Sequence, residues 1–226
     1  MKFYTRIDPK TQLFIKSASL LFTLYLLWAL LKSLLIQQFP QIGVSEYTQS
    51  NLFEMLANNP FKAFVMVLVI APVLEEIMFR TLLKPSHIDF VLFIVAWPTY
   101  YIAYYVIPPD VNWFMRLVFI AVFLGSFTYI GIQLLTPLKG RHLRAWLSRH
   151  HIKVWLITSS VFALLHINNY VDTFMINLPL LMLVIPRFLA GLFFGYIKIK
   201  NKHLSWSIGM HMLNNAIPIS ILLITR

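Results

Sequence analysis

Two adjacent carboxylates, Glu75 and Glu76, stand inside an apolar run that reads Ala71-Pro72-Val73-Leu74-Glu75-Glu76-Ile77-Met78-Phe79-Arg80. An ionisable group in the middle of a membrane span costs at least about 2.5–3.5 kcal/mol on insertion scales, so each calls for a partner or a function. On a helix, neighbours point about 100° apart, so the two carboxylates are free to do different jobs. Glu76 and Arg80 are spaced i, i+4 and pair within one helix, which leaves Glu75 to project into the bundle as a candidate general base. The plainer reading of Arg80 is an inner-face anchor beside Lys84.

Further along, Ser159-Ser160-Val161-Phe162-Ala163-Leu164-Leu165-His166 places one imidazole on an apolar helix. A lone histidine there is as readily a satisfied core residue as a catalytic one. In Gly209-Met210-His211-Met212-Leu213-Asn214-Asn215 the spacing i, i+4 puts His211 and Asn215 on one face. Such a pair suits an oxyanion clamp or metal ligation, against the plainer role of an interhelical hydrogen-bond pair. Hydrolysis of a peptide bond needs an activated water and donors aimed at the developing oxyanion, and the combined set holds both. Lys32 can snorkel outward and Arg116 sits near a span end. Arg187, beside Pro186 in a span, would pair with the glutamate site or approach a substrate carboxylate.

Three helices must carry these groups to one place, and the composition says in what medium. Of 226 residues, 59% are hydrophobic and 12% charged, too apolar for a water-soluble domain of this size. Seven stretches are long enough to span hydrocarbon, near 14–36, 62–83, 89–107, 113–135, 154–173, 176–197 and 204–224. The expected fold is therefore all-α: a polytopic transmembrane bundle forming a single domain over 1–226, with its motif-bearing core about 62–224. Pro98, Pro179 and Pro186 are expected to kink spans, and the freed carbonyls need partners in the bundle. Gly191 and Gly195 allow close helix contact in the sixth span.

The net charge of +11 is distributed as membrane anchors and not as a nucleic-acid surface. Bases gather on alternate connections: Lys2, Arg6, Lys10 and Lys16; Lys84; Lys139, Arg141, Arg144, Arg149 and Lys153; Lys198, Lys200 and Lys202. The intervening connections hold Glu46, Glu54, Asp110 and Asp172, with Lys62 alone at a span edge. This pattern predicts a cytoplasmic N-terminus, an inward-opening site and a first span that is retained, with no cleavage site after it. Residues 137–153 read as an amphipathic segment on the inner leaflet or as an ordinary basic loop. The absence of cysteine excludes disulfides and thiol catalysis.

Glu75-Glu76-x-x-x-Arg80, Phe162-x-x-x-His166 and His211-x-x-x-Asn215 resemble, in order, the three motifs of the CAAX protease and bacteriocin-processing family, also called the Abi family. Phe188-x-x-Gly191-x-x-x-Gly195 resembles that family's approach to its last motif, and the likeness covers roughly 70 to 217. It implies an intramembrane endopeptidase in which Glu75 and His166 activate water, His211 and Asn215 stabilise the oxyanion, and Glu76 and Arg80 support the site. It also implies a peptide or lipidated-protein substrate, a bacterial plasma-membrane location, and a role in bacteriocin immunity or peptide-signal maturation. A non-catalytic immunity or regulatory protein of the same fold is the alternative; a proton-coupled transporter lacks the inverted repeat it would need. No cofactor is expected to be obligatory. Zinc, if it takes part, would fall to Glu75, His166 and His211, which no single-helix spacing brings together.

Overall fold

The computed structural model describes residues 7–43, 47–108 and 110–224; Lys2, Arg6 and Glu46 lie outside the described residues. Among the described residues the protein is all-helical, without a strand. Helix α1 (Pro9–Gln38) begins at Asp8, whose carboxylate accepts from the Lys10 and Thr11 amides as an N-cap. After the short α2 (Ser50–Asn58) come α3 (Pro60–Val65), a π-turn at Met66–Ile70, and α4 (Ala71–Arg80). Helix α5 (His87–Tyr101) opens with a reciprocal capping box between Ser86 and Asp89. Then follow α6 (Trp113–Leu134), α7 (Arg141–Arg149), α8 (His151–Leu165), a 3-10 turn at His166–Asn169, α9 (Leu178–Asn201) and α10 (Leu204–Ile224).

Helix α9 is the central post, packed against α8, α10 and α1, while α4 bridges α10 and α5 and α6 lies outside α5. Its two glycines explain the close approach. A Cβ at 191 would stand 3.2 Å from the Ser159 Cα and 3.3 Å from an Arg80 nitrogen, and one at 195 would run into the Trp155 ring. The peripheral helices show the opposite character. Leu26, Leu27, Leu30, Leu31 and Leu34 of α1 and Phe119, Val122, Phe127 and Ile130 of α6 are exposed. An apolar surface on that scale fits lipid as the surrounding solvent.

By length and composition α1, α6 and α9 could each cross a membrane. The other four stretches are interrupted or more polar. The π-turn divides 62–83, and α5 ends in a second π-turn at Ile102–Val106. Helix α8 stops at Leu165 and does not run to 173, and α10 carries Ser205, Ser207, His211, Asn214 and Asn215. Of the prolines expected to kink spans, Pro98 and Pro186 do lie within helices. Pro179 instead starts α9 in its first turn, where its missing N–H costs nothing.

The basic connections meet at one end of the bundle. Asn201 donates to the Lys10 carbonyl, Lys198 bonds the Leu83 carbonyl and pairs with Asp89 at 3.3 Å, and Arg144 lies 3.4 Å from His87. The alternate connections meet at the other: Gln49 donates to Tyr170, and Asn177 donates to Tyr47. Helix α9 runs between these ends over 24 residues, about 36 Å. Of 137–153, Arg141–Arg149 forms an amphipathic helix that buries Leu147 and leaves Leu143 and Trp146 exposed.

Candidate active site

Pro72 shapes one wall of the site. It has no N–H and its ring crowds the preceding turn, and the helix immediately before it widens to the π-turn. In that register the Val67 carbonyl is the one Pro72 cannot serve. Asn215 of α10 donates its side-chain amide to it at 2.9 Å. The carbonyl that Pro72 leaves free thus finds its partner in one of the motif residues.

Glu76 is fully buried in α4 and held from three sides. Arg80 Nε lies 3.4 Å away as its ion pair, Ser207 donates to Oε2, and His211 Nδ1 is 3.0 Å from Oε1. Arg80 is also fully buried, which excludes the anchor reading, and its guanidinium lies 5.0 Å from the centre of the Phe162 ring. His211 in turn stacks on Phe194, with ring centres 4.6 Å apart. Its orientation is thus set by a carboxylate on one edge and an aromatic face on the other.

His166 sits where α8 ends, and the end itself orients it. The Phe162 carbonyl accepts from His166 Nδ1 at 2.7 Å, while the His166 amide bonds Ala163 and Leu164. Since a carbonyl only accepts, Nδ1 carries the hydrogen and Nε2 of the neutral ring bears a lone pair. That Nε2 lies 3.8 Å from Glu75 Oε2, and His211 Nε2 lies 3.9 Å from the same oxygen. The Glu75 side chain keeps 29% exposure, against none for Glu76, so the two carboxylates do divide as the helical geometry predicts.

Glu75, His166 and His211 line one cavity of about 520 Å³ with Asn168, Asn169, Arg187 and Asn215. Its remaining wall is mostly apolar and includes Leu52 and Met55 of α2, Met66, Ile70, Leu74 and Ile219. No lining residue belongs to a basic connection. From Glu75 the cavity extends toward Gln49, Asn168 and Asn169, at the end opposite the bases. The reason is the place of His166. It closes the far end of α8, so the space beside it continues into the 166–169 turn. Asn168 and Asn169 thus face the cavity, while Tyr170 is taken up by Gln49.

All six motif residues converge, and the structure adds partners to them. Ser207 completes an i, i+4 ladder with His211 and Asn215, a spacing visible in the sequence. The Val67 and Phe162 carbonyls had no such signal, because they become free only when the π-turn and the end of α8 form. Tyr25 of α1 donates to Asn214 at 2.7 Å and ties α1 to the helix behind the site. For a metal, the candidate ligands are Glu75, His166 and His211. Metal–ligand bonds of about 2.0 Å in a tetrahedron imply ligand separations of about 3.3 Å. Glu75 stands wider than that from both histidines, and among the described residues no three such side chains group as a metal set.

An all-helical protein of membrane-spanning character, with a carboxylate, two histidines and an asparagine drawn into one cavity, is the class that fold and site define. The chain belongs to the Type II CAAX prenyl endopeptidase Rce1-like family, whose model matches residues 57–217. This is a family of membrane-embedded proteases, and the match includes every motif residue while leaving α1 outside. No curated protein and no solved structure matches the chain.

Proposed function

We propose that the protein is an intramembrane endopeptidase that hydrolyses a peptide bond in a small peptide or a membrane-associated, lipidated protein, by water activated at Glu75 and His166. The observation that carries this reading is the approach of His166 Nε2 and His211 Nε2 to one oxygen of Glu75, 3.8 and 3.9 Å away, on the wall of a cavity. A water between Glu75 Oε2 and His166 Nε2 gives one hydrogen bond to each, both being acceptors in these protonation states. Its oxygen attacks the scissile carbonyl carbon while Glu75 takes the proton. The C–N bond then breaks and that proton passes to the leaving amine.

The oxyanion falls to His211 and Asn215. Asn215 has one amide hydrogen engaged by Val67 and a second to give. His211 must carry both ring protons for this role, one toward Glu76 and one toward the oxyanion. The buried Glu76 carboxylate, itself fixed by Arg80 and Ser207, holds the Nδ1 edge of the ring and leaves Nε2 toward Glu75. No step requires a metal. We place the protein as a seven-span component of a bacterial plasma membrane with a cytoplasmic N-terminus, acting in peptide-signal maturation or bacteriocin immunity.

Purified protein in lipid nanodiscs, incubated with a random peptide pool, should produce new termini detectable by mass spectrometry. Glu75→Gln and His166→Ala should abolish them while eluting as folded, monodisperse protein. Undiminished cleavage by Glu75→Gln would remove Glu75 as the base.

A further inference from the structure

Arg187 lines the cavity from α9, and none of the bonds that fix its neighbours reaches it. The other bases in or near the interior have protein partners. Arg80 has Glu76, Arg116 donates to the Pro108 carbonyl at 2.6 Å, and Lys198 has Asp89 and the Leu83 carbonyl. Arg187 has neither a hydrogen bond nor an ion pair among the described residues. It shares that cavity with Glu75, His166 and His211, so it stands beside the reacting groups. A cation inside a bundle without a counter-charge is costly, and the one carboxylate on the cavity wall, Glu75, is committed to water. A guanidinium presents a planar fork of donors that matches a carboxylate edge-on.

We propose that Arg187 is the specificity-determining residue of this cavity and binds a carboxylate of the substrate peptide. The substrate class is then a short, mainly apolar segment carrying its negative charge close to the cleaved bond. The rest of the wall agrees. Leu52, Met55, Met66, Ile70 and Leu74 offer apolar side-chain contacts, while Asn168 and Asn169 offer amides to the peptide backbone. About 520 Å³ admits only a few residues, which keeps the carboxylate and the scissile bond near each other in sequence. The carboxylate comes either from a free C-terminus or from an Asp or Glu side chain, and the same fork serves both. This inference deepens the peptidase reading and rests on it for the word substrate; the binding itself does not depend on turnover.

The test therefore reads binding. Protein bearing Glu75→Gln, immobilised in nanodiscs, is offered three random octapeptide pools: free C-termini, amidated C-termini, and amidated C-termini with one Glu at varied positions. Retained peptides are counted by mass spectrometry. Either the free-acid pool or the Glu pool should be enriched about tenfold over the plain amidated pool, which also identifies the carboxylate's source. Adding Arg187→Gln should bring that ratio to about one, and Arg187→Lys should keep part of it. Equal retention of all three pools, or enrichment that survives Arg187→Gln, overturns the assignment. Enrichment that depends on Arg187, alongside no cleavage by the unsubstituted protein, would leave this site standing and refute the peptidase.

Discussion

Asn215 donates one amide hydrogen to the Val67 carbonyl and keeps the other for the cavity, so its replacement has two separable consequences. Loss of an oxyanion donor typically lowers kcat about 10²–10³-fold, so Asn215→Ala should retain a trace of activity where Glu75→Gln retains none. It also strands a carbonyl that Pro72 cannot serve, at about 1–3 kcal/mol. Restoring an N–H by Pro72→Ala should recover much of that stability in the double variant and none of the activity. Thermal unfolding followed alongside peptide cleavage separates the two effects; recovery of both together would reduce Asn215 to a structural residue. Arg80→Ala is a different case. It leaves Glu76 buried without its cation, and breaking such a pair costs about 3–5 kcal/mol, so protein yield should fall along with activity. At this scale the ion pair was legible from i, i+4 spacing, and so was the shared face of His211 and Asn215. The Asn215–Val67 and His166–Phe162 bonds were not, since each acceptor is a backbone carbonyl set free by a helix irregularity.

At the scale of the helices, the motif spacing read correctly because α-helical periodicity is local, whereas the span ends depend on where backbone bonding fails. Residues 154–173 carry no charge, glycine or proline up to His166, yet α8 ends at Leu165 and the chain turns to put Asn168 and Asn169 on the cavity. The Gly191 and Gly195 pair was legible as a close-contact signal, but its partners were not. Gly195 admits the Trp155 indole, which is further pinned by its N–H to the Leu192 carbonyl at 2.9 Å. Gly195→Ala should therefore destabilise by about 1–3 kcal/mol, as overpacking of a tight contact does. Gly191→Ala meets the Ser159 backbone and the Arg80 guanidinium, so it should lower activity as well as stability by disturbing the support of Glu76. Gly125 of α6 has open space where a methyl group would go, and Gly125→Ala should be neutral or stabilising by about 0.5–1 kcal/mol from helix propensity alone. Thermal melts of the three variants check this order; equal losses at 125 and 195 would mean the α8–α9 contact does not limit stability.

For the whole molecule, charge and cavity together make a prediction about sidedness. The sequence alone showed which connections are basic, but not where the cavity leads. The direction depends on the 166–169 turn and on α2, which form the far wall. Lys10, Lys84, Arg144 and Lys198 share one end, and the cavity extends from Glu75 toward the other, where Asp172 is exposed. If the basic end faces the cytoplasm, as positive charge on short connections requires, a substrate enters from the outer surface. The chain has no cysteine, so single introduced thiols report sidedness without background. In intact cells a membrane-impermeant maleimide should label Asp172→Cys and leave Ala145→Cys untouched until the membrane is opened; both positions are exposed on the protein. Asn169→Cys, on the cavity wall, should label from outside as well, and labelling should block cleavage because the adduct occupies the route to Glu75. Labelling of Ala145→Cys in intact cells with Asp172→Cys protected would reverse the orientation. The same cavity would then admit its peptide from the cytoplasm.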